Sequence, residues 1–262
     1  MRLQLRLLVI ATVALAADAR ADGSLAMRGV YYKERATRVT QLMLDGAFEV
    51  GAKGLVTAHL LVDSITSASA SSGAADAAAF NEKRYEAGAG YAHQVLPSLK
   101  VGANGKYSTE SDYKSSYIGA RGELELAQKN LVLGLGGGLS QDTISAGAAQ
   151  GPAVPTLACE PGQSLATCDL STYSLFLSAS QILSRNAVVG VTYDISALRG
   201  FTSNPYRLAI AGNQFLPENH PTERRRQAAA ISLRQYVPRS ETTFIAAYRL
   251  YSDDWKVRGH KP

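Results

Sequence analysis

The sequence predicts an all-β protein, an antiparallel up-and-down barrel that crosses a membrane as strands. An apolar export signal opens the chain, and apolar and polar side chains then alternate over segments of about ten residues. The connections between these segments alternate between short and long. No apolar stretch after the signal reaches the length of a membrane-spanning helix, so strands are the remaining way to cross a bilayer.

The N-terminus has the form of a secretory signal peptide. Arg2 and Arg6 precede the apolar residues 7–17, and small residues offer a cleavage site after Ala21. We therefore expect a signal peptide over 1–21 and a barrel domain over 22–262. Cleavage removes three Arg and one Asp, which lowers the formal net charge from +5 to +3. This mild basicity is spread along the chain and does not indicate nucleic-acid binding.

Alternation of side chains identifies the strands. In the segment that begins at Leu99, the apolar Leu99 and Val101 alternate with Lys100 and Gly102. Two different environments on the two faces of a strand produce this period of two. The pattern predicts eleven strands, at about 27–34, 37–50, 55–65, 83–93, 99–108, 114–126, 131–141, 171–183, 187–198, 226–237 and 242–251.

The predicted connections fall into two classes. Five are tight turns of three to five residues, and they alternate with longer connections at 66–82, 142–170 and 199–225. The connections at 35–36 and 109–113 are short although they fall on the side of the long ones. Outer-membrane barrels have short periplasmic turns and long external loops, so we expect the N-terminus to be periplasmic. A soluble β-sandwich is the alternative, but it has no reason to sort its loops by length.

Composition supports a membrane barrel of modest width. The chain has 13 Tyr against 6 Phe and 1 Trp, and most Tyr residues lie near the predicted strand ends, where barrels carry aromatic girdles. A soluble β-protein would scatter them. Small residues occupy many polar positions, which suits a narrow lumen.

Four short strings occur in sequence along the chain. They are Tyr31-Tyr32-Lys33-Glu34, the segment from Asp63 to Ser69, Asp142-Thr143-Ile144-Ser145, and Ser252-Asp253-Asp254-Trp255. In order and spacing they resemble the bacterial outer-membrane β-barrels catalogued as domain of unknown function 3570. The resemblance covers most of the mature chain and implies the outer membrane of a Gram-negative bacterium. No activity follows from it.

The C-terminus departs from the pattern of outer-membrane barrels. As a class these barrels have an even number of strands and end in an aromatic residue that the barrel-assembly machinery reads. This chain ends in Arg258-Gly259-His260-Lys261-Pro262. We therefore expect a sequence truncated at its C-terminus and a complete barrel of twelve or more strands.

Charged residues at the polar positions of the strands are candidates for lining the lumen. They could pair across strands and bar the pore, or create a transverse field in a water channel, and both interpretations stay open. Neither sign dominates, so no ion selectivity is predicted. The candidates are Asp45, Glu49, His59, Arg84, Glu86, Lys100, Lys106, Arg121, Glu123, Glu125, Arg234 and Arg249.

Acidic residues gather where predicted strands lead into the long connections. One hypothesis is an acidic ring at the outer mouth that holds Ca²⁺ or favours cations. The alternative, which we favour, is turn chemistry that ends strands. These residues are Glu34, Asp63, Asp142, Asp194, Asp253 and Asp254.

Two further features lie in the long connections. Cys159 and Cys168 are the only cysteines, and in an exported protein we expect them to form a disulfide. Arg224, Arg225 and Arg226 are consecutive, and they could contact lipopolysaccharide phosphates or form a solvated loop base.

The leading functional hypothesis is a passive or gated, porin-like channel for an unknown small solute. The alternatives are a non-conducting scaffold that binds a protein partner and a barrel hydrolase that uses His59. No nucleophile elbow or zinc-protease string is present, so we expect no enzyme, no catalytic residue and no cofactor. The expected partners are outer-membrane lipid, lipopolysaccharide and the assembly machinery.

Overall fold

A computed structural model of the chain describes residues 22–33, 37–68, 79–145, 157–160, 163–165, 167–203, 208–211, 214–217 and 220–261. The predicted signal peptide and Glu34 lie outside these residues. Within them, one antiparallel sheet contains twelve strands whose order follows the chain. The all-β, up-and-down prediction is therefore confirmed.

The sheet contains long strands and one short final strand. In order they are β1 (Gly23–Lys33), β2 (Thr37–Val50), β3 (Gly54–Ala68), β4 (Ala79–Leu96), β5 (Leu99–Thr109), β6 (Tyr113–Leu126), β7 (Leu131–Ser145), β10 (Thr167–Ser184), β11 (Ala187–Gly200), β14 (Glu223–Val237), β15 (Thr242–Asp253) and β16 (Arg258–Lys261). Two hairpins lie outside the sheet, in the long connections: β8 (Leu157–Glu160) with β9 (Gln163–Leu165), and β12 (Leu208–Ala211) with β13 (Gln214–Pro217).

The eleven predicted strands correspond to all of the sheet except β16. This last strand pairs with residues 249–252 of β15 after a turn in which Lys256 has a φ of +66°. Its four residues show no alternation between apolar and polar side chains, so the sequence contained no signal for it. Several strands also extend further toward the long connections than predicted, and β10 begins at Thr167 rather than at 171.

The two ends of the sheet carry different connections. The short-turn end holds the connections at 51–53, 97–98, 127–130, 185–186 and 238–241. The opposite end, here called the long-loop end, holds the connections at 34–36, 69–78, 110–112, 146–166, 201–222 and 254–257. The three longest connections all lie at this end, as predicted. β1 and β16 form the two edges of the sheet among the described residues.

Strand register divides the sheet into two faces. Paired residues in an antiparallel sheet point to the same side, so the pairs Asp45 with His59, His59 with Gly88, and Gly88 with Lys106 define one side, the polar face. The other side, the apolar face, carries large hydrophobic residues that are strongly exposed, such as Leu25 at 68% and Ile118 at 65%. Monomeric soluble proteins rarely expose large contiguous apolar patches, so this face is suited to a hydrocarbon environment.

Glycines on the polar face allow one aromatic ring to lie against the backbone. Gly119 of β6 pairs with Gly138 of β7. A Cβ atom added at Gly138 would lie 2.5 Å from the Tyr117 ring, and one at Gly119 would also overlap that ring. The two glycines are therefore required by the position of Tyr117.

No helix within the described residues is long and apolar enough to span a membrane.

Candidate functional site

Five ionisable side chains form a continuous series of polar contacts across β1 to β5 on the polar face. Arg28 Nη2 lies 2.5 Å from Asp45 Oδ2, and His59 Nδ1 lies 2.6 Å from Asp45 Oδ1. On its other side, His59 Nε2 lies 3.5 Å from Glu86 Oε1, while Lys106 Nζ lies 3.2 Å from Glu86 Oε2. We call these five residues the charge chain.

The register explains how the charge chain forms. Asp45 and His59 are directly paired, and Gly88 stands opposite His59 on the next strand. Because Gly88 has no side chain, His59 can reach Glu86 on the diagonal. A depression of about 450 Å³ opens beside Asp45, His59 and Lys106.

The charge chain is partly exposed rather than buried. The side chains of Asp45 and His59 are 32% and 30% exposed, those of Arg28 and Lys106 are 62% and 44% exposed, and that of Glu86 is 11% exposed. Ion pairs with this degree of solvation contribute little to stability. Their more important property is that acidic and basic groups alternate along the series and are accessible from the space over the polar face.

A second group of charges lies at the long-loop end of β3, β4 and β5. Arg84 Nη2 is 3.3 Å from Asp63 Oδ2, and Arg84 Nε is 3.9 Å from Glu110 Oε1. The side chain of Asp63 is only 4% exposed. Burial raises the pKa of Glu110, and the positive charge of Arg84 opposes this rise.

The long connection between β7 and β10 is anchored beside this group. The disulfide between Cys159 and Cys168 joins β8 to the start of β10. Cys168 is buried with Ile144 and Phe201, and Tyr113 packs against them. Tyr113 also hydrogen-bonds to the carboxylate of Asp142, which accepts a second hydrogen bond of 2.7 Å from Ser140 Oγ.

A third group surrounds Asp253 at the turn between β15 and β16. Its carboxylate pairs with Arg224, and it accepts hydrogen bonds from the Tyr251 hydroxyl at 3.0 Å and the Val257 backbone N–H at 2.8 Å. The Arg224 guanidinium lies 4.2 Å from the centre of the Trp255 ring. These contacts organise the turn, which supports the turn-chemistry interpretation for Asp253.

A sequence model of the family described as Protein of unknown function (DUF3570) matches residues 76–261. The chain belongs to this family. No curated protein has a significant sequence match to the chain.

Solved structures similar to this DUF3570 protein come from outer-membrane proteins. A mutant of the ferric enterobactin receptor from Pseudomonas aeruginosa has a TM-score of 0.52 at 8% identity, with 93% of this chain and 41% of the receptor covered. The translocator domain of the autotransporter NalP from Neisseria meningitidis has a TM-score of 0.45 at 16% identity, with 99% and 92% covered. The likeness to the receptor shows the fold alone, and this chain spans less than half of the receptor's length.

In this DUF3570 protein, all twelve lumen candidates lie on the polar face according to the strand register. The structure brings Asp45, His59, Glu86 and Lys106 together in the charge chain. It places Arg84 in the group at the long-loop end. The remaining candidates do not join either group: Glu49, Lys100, Arg121, Glu123, Glu125, Arg234 and Arg249.

The acidic candidates do not form a common site. Asp194 lies in the interior of β11, six residues before its end at Gly200, because the strand continues through residues 195–200. Asp254 accepts a hydrogen bond of 3.0 Å from the Arg225 backbone N–H. Among the described residues, no group of three or more His, Cys, Asp or Glu side chains is arranged to hold a metal ion.

The three consecutive arginines do not act as one group. They lie within β14, which begins at Glu223, and side chains alternate along a strand. Arg224 and Arg226 therefore lie on the polar face and Arg225 on the apolar face. The strand starts earlier than expected, so the three side chains do not form one loop-base cluster, and their contact with lipopolysaccharide phosphates stays a prediction.

Sequence reasoning did not select Arg28 or Glu110, and it named Arg224 and Trp255 without placing them beside Asp253. Arg28 lies in a segment of β1 whose alternation is poor, since Val30 and Tyr32 share its face. Glu110 lies in the turn between β5 and β6, outside the strand positions from which the lumen candidates were selected. The group around Asp253 depends on the turn into β16, and that strand had no sequence signal.

Proposed function

We propose that the protein is an outer-membrane barrel that conducts small polar solutes through a water-filled interior lined by the polar face. The observation that carries this proposal is the partly exposed charge chain across five neighbouring strands. Removing an ionised group from water lowers the stability of the folded protein by on the order of several kcal/mol. A face with this many accessible charges is stable only beside water.

The arrangement of the strands supports a lumen on this side. The apolar face requires hydrocarbon, and a transmembrane sheet must satisfy its edges by closing into a cylinder. In a closed cylinder of twelve strands, β4 and β5 lie opposite β14 and β15. The charge chain would then face Arg234 and Arg249 across the interior. Carboxylates on one side of the lumen and arginines on the other would orient a solute that carries both a positive and a negative group.

The geometry of His59 argues against a hydrolase. A histidine that serves as general base needs one ring nitrogen directed at a nucleophile or a water. Both ring nitrogens of His59 instead face carboxylates, those of Asp45 and Glu86. With each ring nitrogen directed at a carboxylate, neither is directed at a nucleophile or a water.

A non-conducting scaffold is the second candidate, and one observation favours it. The buried cluster of Ile144, Cys168 and Phe201 lies at the long-loop end, where the disulfide holds the connection between β7 and β10 against the sheet. A covered mouth would allow the loops to bind a partner without solute passage.

Single-channel recording in planar bilayers separates the two candidates. We expect the full chain to give discrete conductance steps, and the variant Asp45→Asn/Glu86→Gln to keep its conductance but become less cation-preferring. Ala26→Ser, on the same face, serves as the matched control. A folded wild-type protein that inserts but gives no steps, with the disulfide intact or reduced, would overturn the channel and leave the scaffold.

A further inference from the structure

The charged residues of the apolar face are confined to one end of the sheet. In the strands of the described part of the chain, every Lys, Arg, Asp and Glu on this face lies within five residues of the long-loop end of its strand. At the short-turn end of the same face, the described strands carry no such residue. The basic members, which we call the basic belt, are Lys33, Arg38, Lys83, Lys114, Arg199, Arg225 and Arg258.

The side chains of the basic belt are exposed. Two carboxylates lie among them. Asp169 accepts a hydrogen bond of 3.0 Å from Thr143 Oγ1, and Glu223 lies 3.9 Å from Arg199. Among the described residues, Lys33, Arg38, Lys83 and Lys114 make no ion pair. Within the described ranges, the part of the belt on β1, β2, β4 and β6 is therefore a band of positive charge without paired carboxylates.

One pair in the belt has an arrangement that is unfavourable without a ligand. Lys33 and Arg38 are directly opposite each other on β1 and β2. Like charges at directly paired positions destabilise a sheet. An anion bound between the two side chains would remove this repulsion, and a guanidinium can bind a phosphate through two parallel hydrogen bonds.

The location of the belt identifies the anion. It borders the surface that contacts hydrocarbon, so its ligand must have a phosphate at the level where acyl chains meet the headgroup. The long-loop end faces the cell exterior in the proposed orientation. Adjacent strands are about 4.8 Å apart, so Arg38 and Lys83, two strands apart, could contact one headgroup or two neighbouring ones.

We propose that the basic belt binds the phosphate groups of a phosphorylated glycolipid, lipopolysaccharide, in the outer leaflet. The proposal rests on the outer-membrane barrel of the proposed function and on the orientation expected from the loop lengths, but it does not depend on conductance. It assigns to the belt a role distinct from that of the polar face, because the two sets of residues lie on opposite sides of the same strands.

The test uses two variants of the full chain that remove equal charge. The belt variant is Lys33→Gln/Arg38→Gln/Lys83→Gln/Lys114→Gln. The control variant, Lys53→Gln/Lys129→Gln/Arg185→Gln/Arg239→Gln, neutralises four exposed residues in the turns of the short-turn end. Binding of purified lipopolysaccharide to each folded protein in neutral detergent would be measured, with phosphatidylglycerol as a second anionic lipid.

We expect the belt variant to bind lipopolysaccharide at least about tenfold more weakly than the wild type, and the control variant to bind within about twofold of it. Equal losses in both variants would show a net-charge effect and overturn the proposal. Phosphatidylglycerol binding as tightly as lipopolysaccharide would overturn the assignment to a glycolipid. Heat-modifiable migration on gels verifies that each variant is folded.

Conductance of the belt variant separates this proposal from the channel. Unchanged conductance with weakened lipopolysaccharide binding supports both. A silent wild-type protein whose lipopolysaccharide binding is lost in the belt variant overturns the channel alone.

Discussion

The polar face differs between the two halves of the sheet. Among the described side chains, the half formed by β1 to β7 carries seven carboxylates and five basic groups, whereas the half formed by β10 to β16 carries five basic groups and two carboxylates. The acidic half holds Asp45, Glu49, Asp63, Glu86, Glu123, Glu125 and Asp142 with Arg28, Arg84, Lys100, Lys106 and Arg121. The basic half holds Arg224, Arg226, Arg234, Arg249 and Lys261 with Asp194 and Asp253.

The two halves also differ in how their charges are compensated. In the acidic half, the charge chain links groups of opposite sign over five strands. In the basic half, Arg234 and Arg249 are exposed and make no ion pair among the described residues. The first half thus contains a connected network of five residues, while the second presents Arg234 and Arg249 to solvent without an ion pair in the described part of the chain. The difference teaches that nearly equal totals of acidic and basic groups can conceal an uneven distribution of the two signs over the sheet.

The largest expected effect comes from breaking the division between the faces. Ile231 of β14 lies on the apolar face and is 52% exposed, and its neighbour Ser232 lies on the polar face. Ile231→Arg should destabilise the folded protein by about 2–4 kcal/mol, because it places a charge in hydrocarbon. Ser232→Arg should cost much less. Reversible unfolding in lipid vesicles measures both, and equal losses would contradict the assignment of the faces.

The next effect concerns β6 and β7 of the acidic half, where Tyr117 lies against Gly119 and Gly138. Gly138→Ala should destabilise the protein by about 1–3 kcal/mol through overpacking. Tyr117→Ala in the same chain should remove most of this penalty. Gly29→Ala is the matched control, because a Cβ added at Gly29 has no atom within 4 Å. If the double variant is as unstable as the sum of the single variants, Tyr117 is not the cause.

A smaller effect is expected when one half loses its charge. Arg234→Gln/Arg249→Gln should raise the permeability of cations relative to anions by about a factor of two, because free positive charges repel cations. Glu49→Gln/Glu123→Gln, in the acidic half, should shift the ratio in the opposite direction. Reversal potentials in a salt gradient give these ratios. Shifts of the same sign in both variants would contradict a separation of charge across the interior.

The smallest effect involves Glu110 at the long-loop end of the acidic half. Burial raises its pKa in the folded state. A carboxyl group with a raised pKa costs no stability below its unfolded pKa and reduces stability as pH rises through its folded pKa. Relative to the wild type, Glu110→Gln should therefore gain stability between pH 4 and pH 7, by less than about 1 kcal/mol. Thermal melting of both proteins, followed by gel migration at pH 4 and at pH 7, measures the gain. If the difference in stability between the variant and the wild type is the same at both pH values, the pKa of Glu110 is not raised.

The sequence was informative wherever alternation was regular. In β5 and β6 the polar and apolar positions are well separated, and the faces assigned from the pattern agree with the register. β16 could not be found, because four residues without alternation owe their strand conformation to pairing with β15. The start of β14 was misplaced because three consecutive arginines resemble a solvated loop when pairing is unknown.

The candidate site was predictable in its residues but only partly in its contacts. Alternation places Asp45, His59 and Glu86 on one face, and this was sufficient to select them. Their contact depends on register and on the missing side chain of Gly88 opposite His59, neither of which a single strand's pattern contains. The separation of charge between the two halves likewise required the order of the strands.

The most direct test of the account is a cysteine scan of β14 from residue 228 to 235 in the folded, lipid-embedded protein, carried out in the Cys159→Ser/Cys168→Ser background. Even-numbered positions should react with a charged, water-soluble thiol reagent, while a fluorophore at odd-numbered positions should be quenched by brominated lipid. Reactivity or quenching that does not alternate between successive residues would contradict the assignment of one face to water and the other to hydrocarbon.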